Sequence, residues 1–209
     1  MPYYLSTHSL QGEYRNSNNC QDDVQVMQQY IPLLPLPTSG YSIATAIPLN
    51  ISSPQPIPDS GGSSTAIGMA SGVISRPDQV DVYVFHAEAA GEALVLAQGL
   101  ADWGGVTRGN LDMQVSIKDS SGSDILPASD SGDSLGVTVN VQLPAAGAYY
   151  LKVQGTGYKD FKAKAYSSYG SLGRYMVTVK FPVTPAGYNG DTLQPPDEEP
   201  LSSGPTIVP

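Results

Sequence analysis

The run Gly132-Asp133-Ser134-Leu135-Gly136 fits the Gly-x-Ser-x-Gly pattern that can make a serine a hydrolase nucleophile. That chemistry needs a strand before the serine and a helix after it, so that a strained elbow and a helix N-terminus activate the hydroxyl. Here a Ser/Asp loop precedes Ser134 and an alternating, strand-like run follows, so a loop of turn-forming residues accounts for the pattern better. His86-Ala87-Glu88 imitates the first half of a zinc-binding His-x-Glu signature, but no Pro-Cys-x-x-Cys follows. Cys20 is the only cysteine, so no internal disulfide can form, and beside His8 it lacks a third group to orient a base. No residue is therefore assigned a catalytic role. Tyr158, Tyr166 and Tyr169 surround Lys159, Lys162 and Lys164. Tyrosine faces beside lysines could form a platform for sugar rings or an extended peptide, with Tyr158, Lys159, Lys162 and Tyr166 as the binding residues. The alternative is a strand-connecting loop whose tyrosines fill a sandwich edge and whose lysines are solvated.

Strands must position such groups, because the readable part of the chain is strand-like. Leu111, Met113, Val115 and Ile117 alternate with Asp112, Gln114, Ser116 and Lys118, a period of two with one face in a core, and Asp119-Ser120-Ser121-Gly122 ends the run in a turn. Val137 to Leu143 and Tyr149 to Gln154 repeat the alternation around Pro144-Ala145-Ala146-Gly147, and together read as a hairpin. Tyr175, Val177, Val179 and Phe181 alternate in the same way. Val80 to Phe85 is apolar on both faces beyond Asp81, as a strand deep in a sheet would be, and Glu92 to Ala97 is a second apolar run. Gly72-Val73-Ile74 leads into the first of these through an Arg76-Pro77-Asp78 turn, and Ser42 to Leu49 could add a short strand. The expectation is an all-β fold, an antiparallel β-sandwich or jelly roll.

Outside that body the pattern changes. Asn19 can cap a helix from Gln21 to Tyr30, with Asp22 and Asp23 in its first turn and Val24, Met27 and Ile31 on one face. Pro32 and Pro35 stop it. The expected division is residues 1–34 with this helix, a Pro/Ser/Gly-rich linker with a first short strand over 35–65, the sandwich over 66–182, and a disordered, acidic, Pro-rich tail over 183–209.

The 209 residues carry a formal charge of −9. Between Gly72 and Phe181 there are 11 acidic and 9 basic residues, so most of the excess lies in the flanks. An acidic chain without a basic stripe repels phosphates, which argues against nucleic acid and against an anionic membrane surface. No apolar run is long enough to span a membrane, and Met1-Pro2-Tyr3-Tyr4-Leu5-Ser6 does not read as a signal peptide. Asn50-Ile51-Ser52 is a glycosylation sequon in a stretch expected to be loop, which makes Asn50 a candidate acceptor if the chain is secreted in a eukaryote.

Taken in order, Gly72-x-Ile74, Asp78-x-x-Asp81-Val82-Tyr83-Val84-Phe85, Gly109-Asn110-Leu111-Asp112, Asp119-Ser120-Ser121-Gly122, Leu143 to Val153 and Ser168 to Tyr175 resemble the bacterial-type pre-peptidase C-terminal domain. Upstream, Gly12 to Val24 looks like the end of the catalytic domain of secreted zinc peptidases that carry such a module, although no His-Glu-x-x-His is present. The resemblance implies a non-catalytic antiparallel sandwich appended to a secreted zinc peptidase, extracellular, related in architecture to collagen-binding and carbohydrate-binding modules. It implies an upstream peptidase domain as partner, and matrix protein or polysaccharide as ligand. The alternative is part of an active zinc metallopeptidase whose catalytic domain this chain does not contain. Some relatives bind calcium near the start of the domain, and Asp78, Asp81 and Asp112 could supply the several oxygen ligands such a hard cation needs. The competing reading gives Asp78 to a turn, Asp81 to a strand start and Asp112 to solvent or a loop amide.

Overall fold

A computed structural model describes residues 26, 29–30, 40–51, 57–58, 64–99, 109–132, 134–157 and 168–184. Their regular structure is almost entirely strand: β1 (Ile47–Pro48), β2 (Asn50–Ile51), β3 (Ile57–Pro58), β4 (Ser64–Ile74), β5 (Val80–Ala87), β6 (Gly91–Gly99), β7 (Met113–Asp119), β8 (Asp124–Ser129), β9 (Val137–Leu143), β10 (Gly147–Gly155) and β11 (Gly173–Val183). They form two sheets, one in the order β1-β5-β10-β7-β8 and the other β2-β4-β11-β6-β9, with β3 also on β4. Every pairing is antiparallel except that of β1 with β5. The protein is an all-β sandwich. Among the described residues no helix is long and apolar enough to cross a membrane.

The alternation seen in the sequence is what fills the space between the sheets. Met113, Val115 and Ile117 of β7 and Leu151 and Val153 of β10 are fully buried from one side, and Val95, Val177 and Val179 of β6 and β11 from the other. Each such side chain contributes about 1.5–3 kcal/mol by leaving water. Phe85 stacks on Tyr149 with ring centroids 5.7 Å apart and meets Phe181 of the opposite sheet at 5.0 Å.

Several expectations change in the structure. The strands β9 and β10 are not a hairpin: β9 pairs with β6 in one sheet, and β10 lies between β5 and β7 in the other. The Pro144-Ala145-Ala146 turn therefore carries the chain across the sandwich, and the Tyr149 hydroxyl fastens it by donating to Ala145 O at 2.7 Å. Either connection points Leu143 and Tyr149 into the core, so alternation alone could not separate them. The β7–β8 connection is a hairpin. Its turn is tied by Asp119 Oδ1, which accepts from Ser121 N, Ser121 Oγ and Ser123 N at 2.8, 2.6 and 2.9 Å. Gly122 adopts φ +86° there, a conformation that suits glycine. The stretch expected as one strand from Ser42 to Leu49 is a 3-10 turn, Ile43–Thr45, followed by the two-residue β1. The helix expected over 21–30 lies outside the described residues except for positions 26, 29 and 30, and the tail from 185 onward lies outside them entirely.

Candidate functional site

The densest polar arrangement in the core sits where β5 begins. Gln79, Asp81 and Tyr83 fall on alternate positions, so they share the face of β5 that looks into the sandwich. Across the gap, Tyr175 near the start of β11 is fully buried. Its hydroxyl donates to Asp81 Oδ2 at 2.5 Å and lies 2.8 Å from the Tyr83 hydroxyl. Because the Tyr175 proton is committed to the carboxylate, Tyr83 must be the donor between the two phenols. Gln79 Nε2 donates to Asp81 Oδ1 at 2.9 Å and to Val73 O at 2.7 Å, while Gln79 Oε1 accepts from Ser75 N and Ser75 Oγ. One carboxylate thus joins both sheets and the β4–β5 turn.

Backbone choice makes room for the phenol. Tyr175 is paired with Gly72 of β4, and a Cβ built on Gly72 would stand 2.6 Å from Tyr175 Cζ, inside van der Waals contact. Burial pushes the Tyr175 phenol far above its ordinary value, with the neighbouring Tyr83 and Asp81 adding to the shift. Burial also raises Tyr83, although its bond to Tyr175 opposes the rise. Both phenols are held neutral, as donors. The Tyr41 hydroxyl and Arg76 Nε are buried nearby and have no hydrogen-bond partner among the described residues. Burial and the Asp81 charge raise Tyr41, and Arg76 lowers it. The groups of the cluster are spent on one another: Asp81 accepts from Tyr175 and Gln79, and Tyr83 donates to Tyr175.

A second buried contact fixes the entry to β7. Ser171 Oγ, fully buried, accepts from Asp112 N and donates to Asp112 O, both at 2.8 Å, and Thr156 N donates to the same carbonyl at 2.8 Å. Gly155 lies against the Ser171 backbone so closely that a Cβ would overlap it. This clamp holds the end of β10 to the short 3-10 turn Ser168–Gly170, in which Tyr169 is buried.

The three carboxylates expected to converge on a cation are not brought together. Among the described residues no group of three or more His, Cys, Asp or Glu could hold a metal ion. Asp78 is exposed in the Arg76–Gln79 turn, where Gln79 N donates to Arg76 O at 3.2 Å. Asp81 opens β5 with both oxygens accepting hydrogen bonds, and Asp112 precedes β7, with β10 between those two strands. Two inter-strand spacings, roughly 10 Å, separate Asp81 from Val115, which lies in line with it across β10, and Asp112 is three residues farther along the chain. Tyr158, Lys159, Lys162 and Tyr166 lie outside the described residues. Asn50 is exposed, but in β2 against Met69 rather than in a loop. Ser134 belongs to an exposed turn, with its Oγ accepting from Gly136 N at 3.3 Å, and β9 rather than a helix follows. His86 is exposed on β5, and Glu88 Oε2 accepts from Thr184 N and Thr184 Oγ1, so the two do not form a unit.

Tyr83, Gln79, Tyr175 and Ser171 were not singled out from the sequence. The period-2 row of Gln79, Asp81 and Tyr83 was the available signal; nothing local linked it to Tyr175, which is 94 residues from Asp81.

Residues 79–155 match the bacterial pre-peptidase C-terminal domain. The matched segment runs from Gln79 to Gly155, from the polar cluster through the whole of β5 to β10, and lies inside the expected 66–182 sandwich. No match supports the expected peptidase segment ahead of it, Gly12 to Val24. No curated protein matches the chain. Among solved structures, the pre-peptidase C-terminal domain of a collagenase from Bacillus anthracis is similar at 18% identity, covering 53% of this chain and 86% of that one, with a TM-score of 0.35. PliG, a periplasmic inhibitor of g-type lysozyme from Aeromonas hydrophila, is similar at 12% identity, covering 64% and 93%, with a TM-score of 0.33.

Proposed function

We propose that this protein is the non-catalytic accessory module of a secreted zinc peptidase, and that it holds its enzyme against matrix protein or polysaccharide. The observation that carries the reading is the pre-peptidase C-terminal match over 79–155, set in a two-sheet sandwich whose inner polar groups are spent on tying the sheets together. The binding part rests on composition: Tyr158 and Tyr166 flank Lys159 and Lys162 in sequence, giving apolar faces beside donors. The full chain should be retained on insoluble collagen, cellulose or chitin, and Tyr158→Ala should lower that retention. Equal retention of the variant removes these residues from the proposal, and no retention on any of the three solids removes the binding role. The partner implied is an upstream zinc peptidase domain. An in-frame extension of the transcript encoding His-Glu-x-x-His would supply it, whereas a stop codon just upstream would leave a free-standing binding module.

A further inference from the structure

Sheet edges carry unpaired backbone groups, and sandwiches blunt them with short strands, prolines, charges or bulges. Three of the edges here are treated in that way. β1 and β3 are two residues long and each ends in a proline, Pro48 and Pro58, and β2 also has only two residues. β8 contains Pro127, opens with the exposed Asp124, and meets β7 with register shifts. The fourth edge, β9, has none of these devices. Its sequence Val137-Thr138-Val139-Asn140-Val141-Gln142-Leu143 has no charge, proline or glycine, and it follows β6 residue for residue over seven positions without a bulge. Among the described residues β9 has a strand on one side only.

We infer that β9 is a self-association edge, pairing antiparallel with β9 of a second copy about a two-fold axis at Asn140. The inference is independent of the accessory-module reading. The strand is its own complement in that register. Val137 meets Leu143 of the partner subunit and Val139 meets Val141 of the partner subunit on the core side, while Thr138 meets Gln142 of the partner subunit and Asn140 meets Asn140 of the partner subunit on the other. No like charges face each other, which matters for a chain of net charge −9. Val139 is the one inward residue of β9 left half-buried, and it lies next to the axis. Seven facing pairs, every second one exchanging two bonds, give roughly six to eight hydrogen bonds between chains. The two sheets that contain β9 become one continuous sheet.

The register can be tested directly. In a Cys20→Ser background, which removes the only native thiol, Asn140→Cys places two cysteines face to face with Cα atoms about 4.5–5.5 Å apart, within disulfide range. Thr138→Cys places them about 13 Å apart, beyond it. The expected result is a concentration-dependent dimer in sedimentation velocity, rapid oxidation of the Asn140→Cys chain to a covalent dimer, and no such dimer for Thr138→Cys. Mixing the Thr138→Cys chain with a Gln142→Cys chain should restore cross-linking. Asn140→Lys, an exposed substitution whose folding is checked by circular dichroism, should shift the wild-type chain to monomer. A monomer at all concentrations overturns the inference and leaves the edge to some other strand, and so does a dimer that survives Asn140→Lys and cross-links equally at 138 and 140.

Discussion

Replacing Tyr175 by Phe removes one oxygen from the centre of the fold and leaves its ring in place, so it reports on the hydrogen-bonded cluster without opening a cavity. Tyr175 donates to Asp81 at 2.5 Å and accepts from Tyr83 at 2.8 Å. A hydrogen bond to a charged group contributes about 1.5–3 kcal/mol and a neutral one about 1 kcal/mol. Asp81 keeps the Gln79 amide, and Tyr83 keeps a long contact to Ser71 O at 3.4 Å. Asp81 is also only half-buried, so water replaces part of what is lost. The expected net cost is about 2–3 kcal/mol, or a Tm lower by ~8–12 °C for a cooperative unit of roughly 120 residues. Urea unfolding at neutral pH, with an unchanged m-value, measures it. Tyr83→Phe removes the neutral bond to Tyr175 and the long contact to Ser71 O, and should cost about 1 kcal/mol. The double variant should cost less than the two single ones together, because both remove the same phenol-to-phenol bond. A Tyr175→Phe chain within about 0.5 kcal/mol of wild type would show that the phenol and carboxylate are satisfied equally well by solvent, and the account of the cluster would fail.

Two pH dependences follow from the same structure. Tyr175 and Tyr83 are both raised above the ordinary value of 10.0, so above about pH 10 the unfolded chain loses phenol protons that the native chain keeps. Stability should then fall by up to about 1.4 kcal/mol per pH unit for each tyrosine, until the folded values are reached. Urea titrations between pH 9 and 11 on the wild type and the Tyr83→Phe/Tyr175→Phe chain check this, and an equal slope in both would refute it. Asp119 is held below the usual carboxylate range, first by the Ser121 hydroxyl and then by the backbone amides of the turn. Its contribution is therefore complete above that range and is lost as pH falls through the lowered folded value. In hydrogen exchange, Asp119→Ala should expose the Ser121 and Ser123 amides at neutral pH as acid does in the wild type, and unchanged protection would count against the turn's dependence on this carboxylate.

What the sequence showed and what it hid divide along a physical line. The strands β7, β10 and β11 were readable because their inward positions are large and apolar, as in Met113, Val115 and Ile117. Most of β4 was not, because its inward positions include Ala66, Gly68, Ala70 and Gly72, small residues chosen to receive groups from elsewhere: a Cβ on Gly68 would lie 2.9 Å from Leu49 Cβ, and Gly72 receives the Tyr175 ring. β8 was missed because Pro127 and its register shifts remove the alternation, which is what an edge requires. The site divides in the same way. Asp81 stood out as a carboxylate at a strand start, and the expectation that something positive would meet it was chemically sound. What meets it is a set of hydrogen-bond donors, Tyr175 from the facing sheet and Gln79 from the preceding turn. Donors on two elements far apart in the chain leave no spacing motif, whereas a metal loop leaves one. A carboxylate that closes the end of a sandwich therefore looks, in sequence, like a cation ligand until the opposite sheet is in place.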